Sequence, residues 1–250
     1  MAQIPYLDVQ NLTKSFGSQV LFDNISFSVS EGQKVGLVAK NGTGKSTLLS
    51  ILTNNEGKDS GSLIYKNDLK IGYLEQSPIF NHDESVLEAC FNHENSEELV
   101  IKYKQILTQL KIKNFDQLMG QLSGGQQKRV ALANVLITEP NFIIMDEPTN
   151  HLDLEMIEWL EGYLNRGTKT LLMVTHDRFF LDRVCNTILE LDNEQIYTYR
   201  GNYSYYLEKR QERIDNTRSE IARANNLYRT ELEWMRRMPQ ARGHKAKYRE

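Results

Sequence analysis

The feature that most limits what this chain can fold into is the loop Ala39-Lys40-Asn41-Gly42-Thr43-Gly44-Lys45-Ser46-Thr47. The short apolar run Lys34 to Val38 reads as a strand entering it, and Gly44 to Leu52 reads as a helix leaving it. Consecutive backbone N–H groups in such a turn wrap an anion, and the helix N-terminus adds a favourable dipole. The pattern is a phosphate cradle formed by Asn41, Gly42, Thr43, Gly44 and Thr47. Lys45 is placed to reach β- and γ-phosphates, and the Ser46 hydroxyl to ligate magnesium. The first glycine of the usual pattern is replaced here by Ala39, which fits only with a negative φ.

A strand–loop–helix unit needs a sheet around it. Strand-like runs recur at Ser62 to Tyr65, Lys70 to Leu74, Asn141 to Met145, Thr170 to Thr175 and Ile188 to Leu191, alternating in the second half with helical stretches. This predicts an α/β fold with mostly parallel central strands, preceded by strand-like runs at Leu7 to Gln10 and Val20 to Val29. Between Gln76 and Leu122 the pattern turns helical, at Ser85 to Phe91 and Ser96 to Leu110, which reads as an inserted helical subdomain (about 77–138).

About a hundred residues after the loop, Phe142-Ile143-Ile144-Met145 ends in Asp146-Glu147-Pro148-Thr149. A buried strand that delivers two acids at its tip suits magnesium and water chemistry: Asp146 for the metal, Glu147 to orient or deprotonate a water. A third segment, Leu122-Ser123-Gly124-Gly125-Gln126, opens a helix with bare amides and is a second anion site. Two phosphate sites so far apart in sequence make most sense if the second serves another domain's nucleotide.

With these residues stands Gln76, Asp153 and His176, and the set resembles the motifs of an ATP-binding cassette (ABC) ATPase over residues 4–200. The resemblance implies a P-loop NTPase fold with a parallel core sheet, an antiparallel β subdomain, a small helical subdomain and a C-terminal long helix. It implies ATP and Mg2+ as ligands and a second cassette as partner, met head to tail so that each ATP lies between one phosphate loop and the other's Ser123-Gly124-Gly125-Gln126 segment. It assigns magnesium and water contact to Gln76, a bridging loop to Asp153, γ-phosphate contact to His176 and adenine stacking to Phe16. A core position is the alternative for Phe16.

Asn150-His151-Leu152-Asp153 and His176-Asp177-Arg178-Phe179-Phe180-Leu181-Asp182 are similar to the soluble ABC-F branch. In that branch one chain carries two cassettes joined by a basic helical linker and acts on the ribosome. Residues 203–250 resemble the start of that linker, cut before a second cassette; residues 1–202 are the expected ATP-binding domain. No Gly or Pro occurs from Tyr203 to Met238, and Leu207, Ile214, Ile221, Leu227 and Trp234 recur about every seven residues, which predicts one long helix ended by Pro239 and Gly243. The segment holds twelve Lys/Arg against seven Asp/Glu, a net +5 on a chain of net −3, so a polyanion such as RNA would be met there. The helical insertion is short for the branch, pointing to a deletion near 95–100.

Apolar runs stop at four or five residues, far from the roughly 20 that span a bilayer, and no secretory signal stands at the N-terminus. The expectation is a cytoplasmic protein with no membrane span. Two other readings compete with an ATP-hydrolysing ABC-F protein: the ATPase subunit of a membrane transporter, and a non-turnover ATP switch controlling RNA binding. The fragment alone is expected to be weakly active, through a weak head-to-tail homodimer.

Overall fold

A computed structural model describes residues 5–90 and 97–236. The chain divides into two compact units, Met1–Tyr206 and Leu207–Glu250. In the first, β1 (Pro5–Phe16), β2 (Gln19–Ser30) and β4 (Ser60–Tyr65) form an antiparallel sheet in the order β2-β1-β4. The second sheet runs β5-β6-β7-β3-β8-β9, built from β3 (Lys34–Ala39), β5 (Ile71–Leu74), β6 (Phe142–Asp146), β7 (Thr170–Val174), β8 (Thr187–Asp192) and β9 (Gln195–Arg200). All its pairings are parallel except β8 with β9. The fold is α/β, with a mostly parallel sheet, an antiparallel sheet and a long C-terminal helix.

The central strands are apolar throughout because both faces are covered. All five residues of β6 and of β7 are buried, and side chains that alternate along each strand enter different cores. Ile143, Met145, Leu171 and Met173 pack with the helices of the inserted region. Phe142, Ile144, Leu172 and Val174 pack instead with β1, β2 and helix α1 (Lys45–Leu52). Gly36 in β3 faces Leu181 so closely that a Cβ there would stand 2.7 Å from its Cδ2, so a side chain at this position would require the packed Leu181 to shift.

The inserted region holds α2 (Val86–Cys90), α3 (Glu97–Gln109) and α4 (Gly124–Ile137). Helix α4 is buried on nearly every side, carrying Val130, Leu132, Ala133 and Leu136 into the core together with one lysine, Lys128. Helices α5 (Leu154–Asn165) and α6 (Arg178–Val184) complete the parallel layer. Two elements differ from the sequence reading. β9 was not expected, because its exposed alternating pattern next to a polar turn gives little apolar signal. β1 extends to Phe16 because register shifts near Asn11, at φ 51°, carry pairing past the polar stretch after Gln10.

Helix α7 (Tyr203–Arg236) starts in the first unit, where Tyr206 is buried and its hydroxyl donates to Glu190 (3.1 Å). From Leu207 onward it is one continuous helix with exposed Leu227 and Trp234. The helix stop expected at Pro239 and Gly243 lies outside the described residues, as do residues 95 and 96 of the 95–100 segment, whose remainder begins α3.

Candidate nucleotide site

The carboxyl ends of β3, β6 and β7 stand side by side, since Val174 pairs with both Leu37 and Asp146. Ligands of open α/β sheets gather at such ends. The loop after β3 leads directly into α1, with Gly42 at φ 80° and Gly44 at φ 95°. Both lie in the left-handed region that favours glycine, and a Cβ on Gly44 would also stand 2.9 Å from Leu21 Cδ1. Ala39 closes β3 without a positive φ, so the missing first glycine leaves the loop intact. The Thr43 hydroxyl donates to the Lys40 carbonyl (2.8 Å) and fastens the turn.

Helix α1 has no acidic residue in its first turn and no side-chain cap, which leaves its leading amides available to an anion. The Lys45 ammonium donates to the carbonyls of Ala39 (3.0 Å) and Lys40 (3.1 Å). Burial holds its pKa below the ordinary lysine value, and the charges of Glu147 and Asp146 oppose that shift.

The two acids at the end of β6, Asp146 within it and Glu147 after it, are both buried and differ in their bonding. Glu147 adopts φ 51°, unusual for a residue with a side chain, and its N–H donates to Val174 O (2.8 Å). Its carboxylate accepts from the His176 backbone N–H (3.3 Å), and His176 Nε2 lies 3.5 Å from Oε1. Asp146 Oδ2 is buried with no hydrogen-bond partner. A lone buried carboxylate oxygen is costly, so this one points to a cation that arrives with the ligand. Ser46 and Gln76 line the same cleft and carry oxygens suited to a hard cation, so the donor set fits magnesium.

The cleft has a volume of about 560 Å3. Asn41, Gly42, Gly44, Lys45, Ser46 and Thr47 form one wall; Gln76, Asp146, Glu147 and His176 form another; Phe16 stands at its edge. The Phe16 ring is about half exposed, 4.7 Å from Lys14 Nζ, and is no core aromatic. Gln19 and Leu21 also line the cleft, and nothing in the sequence marked them. Lys128 was missed as well: its ammonium donates to the carbonyls of Glu75, Gln76 (3.0 Å) and Asp146 (2.9 Å). Burial lowers its pKa to about 8, against the pull of Asp146, Glu147 and Glu75.

A family model described as ABC transporter matches residues 22–150, and a second with the same description matches residues 189–250. The chain belongs to the ATP-binding cassette family. It is 36% identical to the uncharacterized ABC transporter ATP-binding protein YfmR of Bacillus subtilis, over 97% of this chain and 45% of that protein. It is 32% identical to the energy-dependent translational throttle protein EttA of Mycobacterium tuberculosis, over 100% of this chain and 51% of that protein. The chain thus spans about half the length of the curated relatives it matches, and with EttA as a relative it is a cassette of the ABC-F branch. The EttA alignment runs over 288 positions against 250 residues here, so it places residues of EttA opposite gaps in this chain. Among solved structures, the dimeric post-hydrolysis cassette MJ0796 bound to ADP and Pi superposes with a TM-score of 0.66, at 25% identity, over 78% of this chain and 98% of that one.

Within this cassette, Ser123, Gly124, Gly125 and Gln126 do not line the cleft. Ser123 caps α4 in a capping box with Gln126, and Gly125 lies against His151, where a Cβ would approach the His151 Cβ to 3.0 Å. Asp153 is also apart from the cleft. It caps α5 by accepting from the Met156 N–H (3.1 Å), and its other oxygen takes the Lys111 ammonium at 2.6 Å. The hydrogen bond from Lys111, foremost, holds the Asp153 carboxyl below its ordinary pKa. Thr43 faces a neighbouring recess with Lys40 and Glu194. No helix among the described residues is long and apolar enough to cross a membrane.

Proposed function

We propose that this cassette binds Mg-ATP in the cleft and hydrolyses it in a composite site completed by a second cassette. One observation carries the reading: a single cleft collects Lys45, Ser46, Gln76, Asp146, Glu147 and His176 from separate segments, while Ser123 to Gln126 stand outside it. The loop amides and Lys45 hold the phosphates, and Phe16 stacks on the base. Glu147, fixed by Val174 and His176, takes the proton of the attacking water, and His176 contacts the γ-phosphate. Ser46, Asp146 and Gln76 would hold the magnesium, which neutralises phosphate charge when bound. Of the Ser123 to Gln126 segment, Gly124 and Gly125 present the helix amides that the Ser123–Gln126 capping box leaves free to the partner's nucleotide, and Asp153 joins the two sites.

A chain with half of each site on different surfaces closes no site alone. In dilute solution its ATP turnover is therefore expected to be slow and to rise with roughly the square of protein concentration. Steady-state rates over a hundredfold dilution series check this. Rates strictly proportional to concentration, with high turnover, would mean that one cassette suffices.

In the full-length protein, cassette closure on ATP regulates translation through the ribosome. Supporting this are the net +5 of residues 203–250 and the 32% identity to a translational throttle protein. Phosphate contacts by Lys and Arg release counterions and weaken with salt. Reversing Arg236, Arg237, Arg242, Lys245 and Lys247 to Glu is expected to abolish ribosome co-sedimentation at physiological salt and to leave ATP binding unchanged. All but Arg236 lie outside the described residues. Co-sedimentation that persists in the reversed protein would move the RNA contact elsewhere.

A further inference from the structure

We propose that Lys128 is a positioning residue for the magnesium–nucleotide chemistry, gripping from within α4 the backbone of both segments that present Gln76 and Asp146. The inference rests on the nucleotide reading above and adds to it a residue outside the cleft wall.

Three features carry it. Lys128 is buried, and its three ammonium protons meet three acceptors, the carbonyls of Glu75, Gln76 and Asp146. It makes no ion pair among the described residues, so a buried cation is held there by carbonyl dipoles and by the more distant charges of Asp146, Glu147 and Glu75. Burying a charge in this way is unfavourable against an apolar side chain of the same volume, and the other buried positions of α4 are all apolar. A helix that needed only packing would carry a methionine or leucine at this site.

What the lysine adds is a junction. Gln76 and Asp146 reach the cleft from segments with no sequence proximity, 70 positions apart. Both carbonyls bind the same nitrogen, so the spacing between the two oxygen-bearing side chains is set by one group. That group stands on the helix whose N-terminus is the Ser123 to Gln126 segment, two positions after Gln126. Any movement of α4 towards a partner's nucleotide is then passed to Gln76 and Asp146 through backbone hydrogen bonds. Groups behind metal-holding side chains commonly change affinity by 10- to 100-fold when removed.

The test is Lys128→Met in the full-length protein, read by titrating a fluorescent ATP analogue at fixed magnesium concentrations and in EDTA, beside a thermal melt. Expected is an unchanged affinity in EDTA, where the Lys45 loop acts alone, and a half-saturating magnesium concentration raised on the order of tenfold. Lys128→Arg, which returns donors to the three carbonyls, should recover part of that shift. An unchanged magnesium requirement in folded Lys128→Met protein overturns the proposal. So does an equal loss with and without magnesium, which marks Lys128 as part of the fold only. If Lys128→Met does not melt cooperatively, Lys128→Gln is measured instead, and an unshifted magnesium requirement there overturns the proposal in the same way. A wild-type protein that fails to bind the magnesium nucleotide sinks the nucleotide reading itself, a result distinct from either.

Discussion

Glu147→Gln is expected to bind ATP as tightly as the wild type while hydrolysing it about 100- to 10,000-fold more slowly, the range over which a positioned general base acts. The amide has the same shape as the carboxylate, so the φ of 51° and the N–H bond to Val174 are retained. It keeps one acceptor for the His176 N–H. What it loses is the capacity to take a proton, which matters in the transition state and not for the ground-state nucleotide. Single-turnover hydrolysis of radiolabelled ATP, set beside equilibrium binding, separates the two steps. Wild-type turnover in this variant would remove Glu147 as the base. A wild-type protein that itself binds without hydrolysing would favour the ATP-switch reading over the enzyme.

Lys45→Ala is expected to lower ATP affinity by roughly a hundredfold, about 3 kcal/mol, as the phosphates lose the loop's cation and its charge-assisted hydrogen bonds. The fold should tolerate the change. Lys45 is only partly buried, its donors go to two loop carbonyls that solvent can serve, and burial already disfavours its charge in the folded chain. Calorimetric titration with ATP, together with a melt showing little loss of stability, checks both halves. Unchanged ATP affinity would place the nucleotide away from this loop.

Much of this was legible before any coordinates, for identifiable reasons. A parallel sheet covered on both faces writes its central strands as continuous apolar runs, so the strands at Phe142 to Met145 and Leu171 to Val174 are visible as such. The loop from Ala39 to Thr47 is legible because backbone geometry demands glycine at Gly42 and Gly44, where φ is positive. The edge strand β9 was not, because it lacks an apolar run to announce it.

Other features depend on chain segments far apart in sequence. That Gln76 and His176 share one cleft with Lys45 follows from the sheet order, in which β7 lies between β6 and β3, and Phe16 joins them from the end of β1 in the other sheet. The unpaired oxygen of Asp146, the left-handed Glu147 and the proximity of His151 to Gly125 are properties of packing, invisible in residue order. Lys128 marks the limit most clearly. By sequence it is a lysine on a helix, which is usually solvated. Only because α4 is enclosed by the inserted region and the sheet does its ammonium find the carbonyls of Glu75, Gln76 and Asp146 instead of water. The sequence alone determined the residues with a local geometric demand, the loop glycines and the apolar strands; the tertiary structure decided which distant groups meet, because burial and hydrogen-bond partners are set by packing rather than by neighbours in the chain.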